Sequence, residues 1–398
     1  MRTHVGEVLA LFRAHGELSR TEVIDLSGLS RSTVNQRLAA LHGAGLISEI
    51  GGGESTGGRP SSRFAFNRSR AAFLTADIGA TGLVAALCDL AGEPFAHTRR
   101  TIDVWEGPER VLGTVDAAFT ELLQQATEAT GAAPEVWGIG VGVPGPVEFA
   151  AGRVVNPPIM TGWDGFDIVG WFAGLGVPVV VENDANSRAV AESRPRGADA
   201  VRHDDLISLK VGTGIGSGLV FNGQIIRGSD GAAGDIGHTR AAVSDDEAPL
   251  PCRCGNVGCV EAYVGGWALI RDLAAAGVPA ANVAEVVSLV RGGNLEAVRL
   301  VRQAGRVLGD AVADLVSILN PEQIILSGQL ADCGEVLLSG VRERVYQRSL
   351  PLATRNLSIL VSSLGEFAGV TGLALITADQ LFDTESIDVL LARPAPAA

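Results

Sequence analysis

The segment LISLKVGTGIGSGLVFNGQIIRG (residues 206–228) decides the fold. An apolar run enters a Gly-x-Gly-x-Gly turn at Gly212, Gly214 and Gly216, and a second apolar run leaves it. The spacing predicts strand, tight turn, strand. Successive N–H groups in such a turn are able to face a phosphate, although a ligand-free β-turn carries the same signature. The design recurs upstream. AAFLTADIGATGLVAALCDLAG (71–92) runs through apolar residues to Asp77 and Gly79, then into a second apolar run. VWGIGVGVPGPV (136–147) is another buried strand ending in a turn. Its Gly140, Gly142 and Gly145 spell G-x-G-x-x-G, but Pro144 and Pro146 stand where a dinucleotide-binding helix would open, so that reading is discarded. VPVVVENDANSRAVAES (177–193) is a strand running into a helix, which places Asn183 and Asp184 at a strand's carboxyl end, where α/β folds bind ligands. AGRVLGDAVADLVSILNPEQIILSGQL (304–330) reads as helix, strand and polar loop. Strands and helices alternate throughout, with no short-period repeat, so the body is α/β.

At 398 residues the chain is too long for one ordinary core. It is 46% hydrophobic and 19% charged, as expected of a globular protein. The N-terminus lacks a secretory pattern and no apolar run is long enough to span a membrane, which makes the cytoplasm the expected compartment. The net charge of −14 is unevenly spread: residues 1–70 carry +3 and the rest −17. A small basic head on a large acidic body hints at a DNA-binding appendage.

Helical spacing supports the hint. HVGEVLALFRAHG (4–16) has Val5, Val8, Leu9 and Phe12 on one face. A second helix starts at Ser19 with Glu22 three residues on, a capping box, and ends at Gly28. A third starts at Ser30, turns Val34, Leu38 and Leu41 inward, and stops at Gly43 and Gly45. This is a helix-turn-helix plan whose last helix is expected to expose Arg31, Ser32, Thr33, Gln36 and Arg37 to DNA. A purely structural three-helix bundle is the alternative. Two alternating runs, 46–50 and 62–66, then flank a glycine-rich tip, which predicts a β-hairpin wing presenting Arg59 to a minor groove.

Three of the five cysteines lie within CRCGNVGCVEAY (252–263). Structural disulfides are rare in a reducing compartment. With His238 from GDIGH (234–238), Cys252, Cys254 and Cys259 form a Cys₃His set, the composition of a closed structural zinc site. Redox-active thiols rank below zinc because Cys-x-x-Cys is absent. Cys88 and Cys333 read as ordinary buried residues. Such an ion would hold His238 and Glu261, which together with Asn183, Asp184 and Asp235 would suit a polyhydroxylated ligand.

Taken together, DIGAT, GVGVPGPV, ENDAN, GTGIGSG, GDIGH and CRCGNVGCVE resemble the ROK family of sugar kinases and sugar-responsive repressors, in its repressor form with an N-terminal winged helix-turn-helix. The resemblance implies a two-lobed, actin-like ATPase (ribonuclease H-like) body. It divides the chain into a head at 1–70, a first lobe at 71–186 joined by a C-terminal helix at 370–390, and a second lobe with the zinc knuckle at 187–369. It implies that Asn183, Asp184, Asp235, His238 and Glu261 hold sugar hydroxyls, with Asp184 the catalytic base if the chain is a kinase. It implies that Asp77, Gly79, Thr81, Gly212, Thr213, Gly214 and Gly216 face the phosphates of ATP–Mg. Ala80 and Ser327 on the nucleotide side, and Asp235 and Ile159 on the sugar side, depart from the usual kinase pattern. The resulting expectation is a sugar-sensing repressor, acting on double-stranded operator DNA as a homodimer or higher homo-oligomer. An ATP-dependent hexose or N-acetylhexosamine kinase carrying a DNA-binding head is the alternative, and a scaffold with a vestigial body is the third reading.

Overall fold

A computed structural model of the chain describes residues 5–51, 62–194, 202–243, 248–383 and 386–391. The head opens with helix Val5–His15, which buries Val5, Val8, Leu9 and Phe12. Helix Arg20–Ser27 begins in the expected capping box: the Glu22 amide donates to the Ser19 hydroxyl at 3.3 Å, and the Ser19 amide donates to the Glu22 carboxylate at 2.6 Å. Helix Arg31–Gly43 is capped by Ser30. Strands Ile47–Ile50 and Arg63–Phe66 pair antiparallel as the wing, with Ile47 opposite Phe66. A third strand, Glu17–Ser19, joins the far side of Arg63–Phe66; at three residues it is too short for a periodicity to show. The wing tip with Arg59 lies outside the described residues.

The body is built twice on one plan. In the first sheet, Ala72–Ile78, Gly82–Asp89 and Pro94–Thr101 form an antiparallel meander, and Val136–Val143 and Val179–Asn183 add parallel strands on the other side of Ala72–Ile78. In the second, Leu206–Val211, Ile215–Phe221 and Gln224–Ile225 form the meander, and Gln323–Ser327 and Ser358–Val361 add in parallel beside Leu206–Val211. Each sheet has its own core. Helix Pro108–Thr130 contributes Val111, Leu112, Val115 and Leu122 to the first; helix Leu295–Leu319 contributes Val301, Leu308, Val312 and Val316 to the second. No helix among the described residues is long and apolar enough to cross a membrane.

Two helices join these parts. Helix Asp184–Ser193 leaves the end of a first-sheet strand and packs on the second sheet's meander; the boundary expected at residue 186 therefore falls inside it. Helix Ala368–Leu381, buried almost all round, lies against both that helix and the first sheet. Contact between the two is backbone-close. A Cβ on Gly372 would stand 1.7 Å from the Ser187 carbonyl oxygen, and on the opposite side a Cβ on Gly218 would stand 2.5 Å from that of Ala185.

The head is docked rather than tethered. Val5, Leu9, Phe12 and Phe64 share one hydrophobic cluster with Phe73, Trp137, Val370, Leu381 and Phe382 of the body. The Phe382 ring meets Phe66 and Trp137 edge-on, with ring centres 6.4 Å apart in each pair, and the Arg13 guanidinium lies 5.2 Å from its centre. Arg13 also donates to Asp379 at 2.9 Å, and Arg194, just past helix Asp184–Ser193, donates to the same carboxylate oxygen at 3.1 Å. Burial pushes the Asp379 carboxyl up, but the two guanidiniums outweigh it and hold it below the ordinary carboxylate range. The connecting residues are pinned as well: Asn67 donates to the Gly45 carbonyl at 2.9 Å and Arg70 to that of Ala44 at 3.1 Å. Phe382→Ala empties the centre of this junction. It is expected to cost about 3 kcal/mol in chemical denaturation, and to speed hydrogen exchange in helix Val5–His15 while helix Leu295–Leu319 keeps its protection.

Candidate functional site

One cleft between the two sheets, about 640 Å³ in volume, brings together Asp77, Gly79, Thr81, Asn183, Asp184, Gly212, Thr213, Gly214, Gly216, Asp235, His238 and Glu261. Residues from five separate segments thus line one cavity: three of the segments lie at strand ends, and the other two are the turn at Asp235–His238 and the helix start at Glu261.

Asn183 ends its strand and caps the helix that follows. Its side-chain oxygen accepts from the Ala185 amide at 2.9 Å and the Asn186 amide at 3.2 Å, and its amide group donates to the Gly145 carbonyl at 3.0 Å. Much of its bonding capacity is therefore spent on holding the strand–helix corner. Asp184 opens the helix and is 4% exposed. Its carboxylate accepts from the Lys210 ammonium, from the strand before the glycine turn. Burial pushes the Asp184 carboxyl up, against the pull of Lys210. Asp77 is likewise engaged: Arg188, one turn along the same helix, donates to it at 2.5 Å. One Asp77 oxygen has no hydrogen-bond partner.

Glu261 is buried on the opposite wall. One oxygen accepts from the Ile215 amide at 3.0 Å and the other from the Trp267 indole at 3.2 Å. The glycine turn is shaped around it, since a Cβ on Gly214 would stand 2.5 Å from the carboxylate. Trp267 lies beside Arg253 and Arg271, whose guanidinium carbons are 4.9 and 5.4 Å from its ring centre. Asp235 is exposed, and His238 half-buried, in the 3₁₀ turn region that follows the second meander.

His238 stands with one ring nitrogen 3.8 Å from the Cys252 sulfur, and Cys254 and Cys259 have sulfurs 3.7 Å apart. The four ligating atoms all lie within 4.8 Å of one another. A tetrahedral ion with Zn–S near 2.3 Å places its ligands roughly 3.5–3.8 Å apart, so the donor set fits, as do the His238–Cys252 and Cys254–Cys259 spacings. Two turns shape the knuckle, with Gly255 at φ 93° and Gly258 at φ 75°. Burial, then the neighbouring Cys254 thiol and the charge of Cys252, pushes Cys259 up to about 12. Three thiols held this close favour a cation that displaces their protons. The cluster could hold a metal ion. Cys88 and Cys333 are buried elsewhere, as expected.

On the third helix, Arg31, Ser32 and Gln36 are exposed and Thr33 is half-buried. The Ser32 and Thr33 hydroxyls also bond the Ser30 hydroxyl, at 2.9 and 2.8 Å. Arg37 overturns its expectation: it is 7% exposed, with one terminal nitrogen 4.0 Å from Glu7 of the first helix. It stands three residues after Val34 and four before Leu41, both on the inward face, so helix geometry places it with the core side rather than the exposed side.

Residue-by-residue reading missed Lys210, Arg188 and Trp267. Lys210 interrupts the apolar run LISLKV and is the sole lysine of the chain, a signal in composition alone. Arg188 and Trp267 carry no local signal, because their partners lie 111 and 6 residues away and are met only through the fold.

Known proteins resemble this chain in sequence and fold. The ROK family profile matches residues 73–380, and a winged helix-turn-helix DNA-binding profile matches residues 2–48. A xylose repressor of Caldicellulosiruptor bescii is 30% identical over 380 residues, covering 92% of each chain. The crystal structure of a ROK family transcriptional regulator, a homologue of the E. coli MLC protein, superposes with a TM-score of 0.80 at 25% identity over 98% of this chain and 99% of its own. A ROK family glucokinase from Streptomyces griseus, in complex with glucose and AMPPNP, has a TM-score of 0.64 at 29% identity, covering 77% of this chain and 99% of its own. The family match spans the two-lobed body with its knuckle, a winged helix-turn-helix match covers the head, and the chain belongs to the ROK family.

Proposed function

We propose that this protein is a sugar-responsive transcriptional repressor: the head binds double-stranded operator DNA, the cleft binds a monosaccharide, and occupancy of the cleft releases the DNA without a need for ATP. The observation that carries the reading is the continuity between cleft and head. Helix Asp184–Ser193 begins in the cleft, and Arg194 just beyond it meets Asp379, which also holds Arg13 of the first head helix. The full-length similarity to a xylose repressor supports it, as does the shorter reach of the glucokinase match. A sugar gripped by Asp184 and Glu261 touches both lobes and favours a closed cleft. It shifts the head only by its difference in affinity between the two states, and about 1.4 kcal/mol of coupling changes operator affinity tenfold. Winged heads read paired half-sites, so the working form is a homodimer or higher homo-oligomer in the cytoplasm with its DNA.

Zinc is the metal assigned to His238, Cys252, Cys254 and Cys259, since a saturated Cys₃His site is structural. It fastens His238 to the knuckle that leads into Glu261, and activates no water. A kinase activity is the second reading, favoured by Asp184 at the helix start beside an open Gly212–Gly216 turn. A coupled phosphoryl-transfer assay over hexoses and N-acetylhexosamines, with Asp184→Asn as control, separates the two.

One zinc per chain is expected in elemental analysis of fresh protein, and Cys254→Ser should lose the metal and weaken sugar binding together. For the head, Arg31→Ala or Gln36→Ala should cost about 1–3 kcal/mol of operator affinity where the side chain reads a base, with strong salt dependence throughout. Arg37→Ala should instead lower the melting temperature and leave the contacts to DNA bases intact. Operator binding titrated with D-xylose and D-glucose, with and without ATP, tests the whole reading. The cognate sugar should weaken operator binding equally in both conditions, and Asp184→Ala should stay on DNA whatever sugar is present. Tight sugar binding that leaves operator affinity unchanged would overturn the sensor reading.

A further inference from the structure

The cleft floor carries its own cations. Asp77 and Asp184 are the two carboxylates there, at the end of a first-sheet strand and at the start of the following helix. Each is in contact with a basic side chain: Arg188 on Asp77 at 2.5 Å, and Lys210 on Asp184. All four groups are largely buried, with side-chain exposures of 4% for Asp77, 9% for Arg188, 6% for Asp184 and 20% for Lys210. Lys210 is the most open of the four, and it borders the Gly212–Gly216 turn. It is also the one lysine among 31 basic residues.

A metal–nucleotide needs oxygen ligands for its magnesium and unpaired donors for its phosphates. Here each carboxylate already holds a cation and each cation a carboxylate, so the negative charge that would draw magnesium is neutralised, although one Asp77 oxygen is left without a partner. An ammonium group has three donors. With one on Asp184, the cleft-facing remainder can serve a hydroxyl, so the pair offers a sugar a donor and an acceptor side by side.

We propose that Lys210 is the discriminating residue of this cleft: its ammonium neutralises the Asp184 carboxylate against a magnesium–nucleotide and gives a neutral sugar an additional hydrogen-bond donor, while Arg188 neutralises Asp77 in the same way. This rests on the sugar-binding reading only for its second half.

The experiment uses the full-length protein. Calorimetry with Mg–AMPPNP should show no binding to the wild type at millimolar ligand and measurable binding to Lys210→Thr. Because Lys210 is the sole lysine, an amine-directed acylating reagent followed by peptide mapping reports on it in the unmutated protein, apart from the N-terminal amine. D-xylose or D-glucose, whichever binds, should slow acylation of Lys210, and Mg–AMPPNP should not. Lys210→Met should bind that sugar roughly tenfold more weakly, the size of one lost hydrogen bond to a charged group. Circular dichroism and zinc content confirm that the variants are folded. Binding of Mg–AMPPNP or of inorganic phosphate to the wild type would overturn the proposal, as would folded Lys210→Thr that still ignores the nucleotide. The nucleotide arm gives its answer whether or not sugar moves the operator, so its failure is distinct from failure of the repressor reading.

Discussion

Everything in this molecule turns on one helix that has no room to move. Asp184–Ser193 is wedged between strand Ile215–Phe221 and helix Ala368–Leu381, and on both sides the approach is to backbone: Gly218 faces the Ala185 carbonyl and Gly372 faces that of Ser187. A side chain at a tight contact can rotate away; a main-chain carbonyl in a helix cannot. The wedge therefore shifts only together with its neighbours. One neighbour is the second sheet and the other carries Asp379 and leads to Phe382, against which the head is packed. Close-packed interiors have discrete alternatives rather than a continuous range, so under the proposed reading a displacement at Asp184 would reach the head through this helix and its neighbours together.

Electrostatics adds a second constraint at the same place. Pairing the buried carboxylates with Arg188 and Lys210 contributes little net stability, because desolvation offsets the attraction. Breaking a buried pair is another matter, at about 3–5 kcal/mol, so the pairs specify how the floor of the cleft is arranged even if they do not hold it together. The opposite wall is set differently. There Glu261 is fixed by a backbone amide and an indole, two residues beyond a cysteine of the knuckle. One wall is positioned by helix packing and the other by the cluster that could hold a metal, and the cleft lies between them.

Local features were legible in the sequence where the interaction itself is local. The capping box at Ser19 and Glu22 and the glycine that ends the second helix close within a few residues, the paired wing strands and the Cys₃His cluster within about twenty, and the described residues form them as expected. The cleft residues were legible for a related reason: a strand end followed by a glycine or an acid is a short pattern with one common use in α/β folds. Arg37 was misplaced because its chemistry spoke for DNA while its position in the helix spoke for the core, and position prevailed. The doubling of the body showed in residue identity only as the recurring strand, glycine turn and strand of 71–92 and 206–228; the order of the strands left no trace, since it is preserved by hydrogen bonds that any apolar sequence can make.

The sequence by itself determined the elements, their caps, the donor set of the knuckle and the family resemblance, because each depends on residues near one another in the chain. The tertiary structure decided which charges meet. Asp77 finds Arg188 across 111 positions, Asp184 finds Lys210 across 26, and Arg13 finds Asp379 across 366. Coulombic partners are selected by distance in space and by exclusion of water, and both exist only once the two sheets and the helix between them have closed.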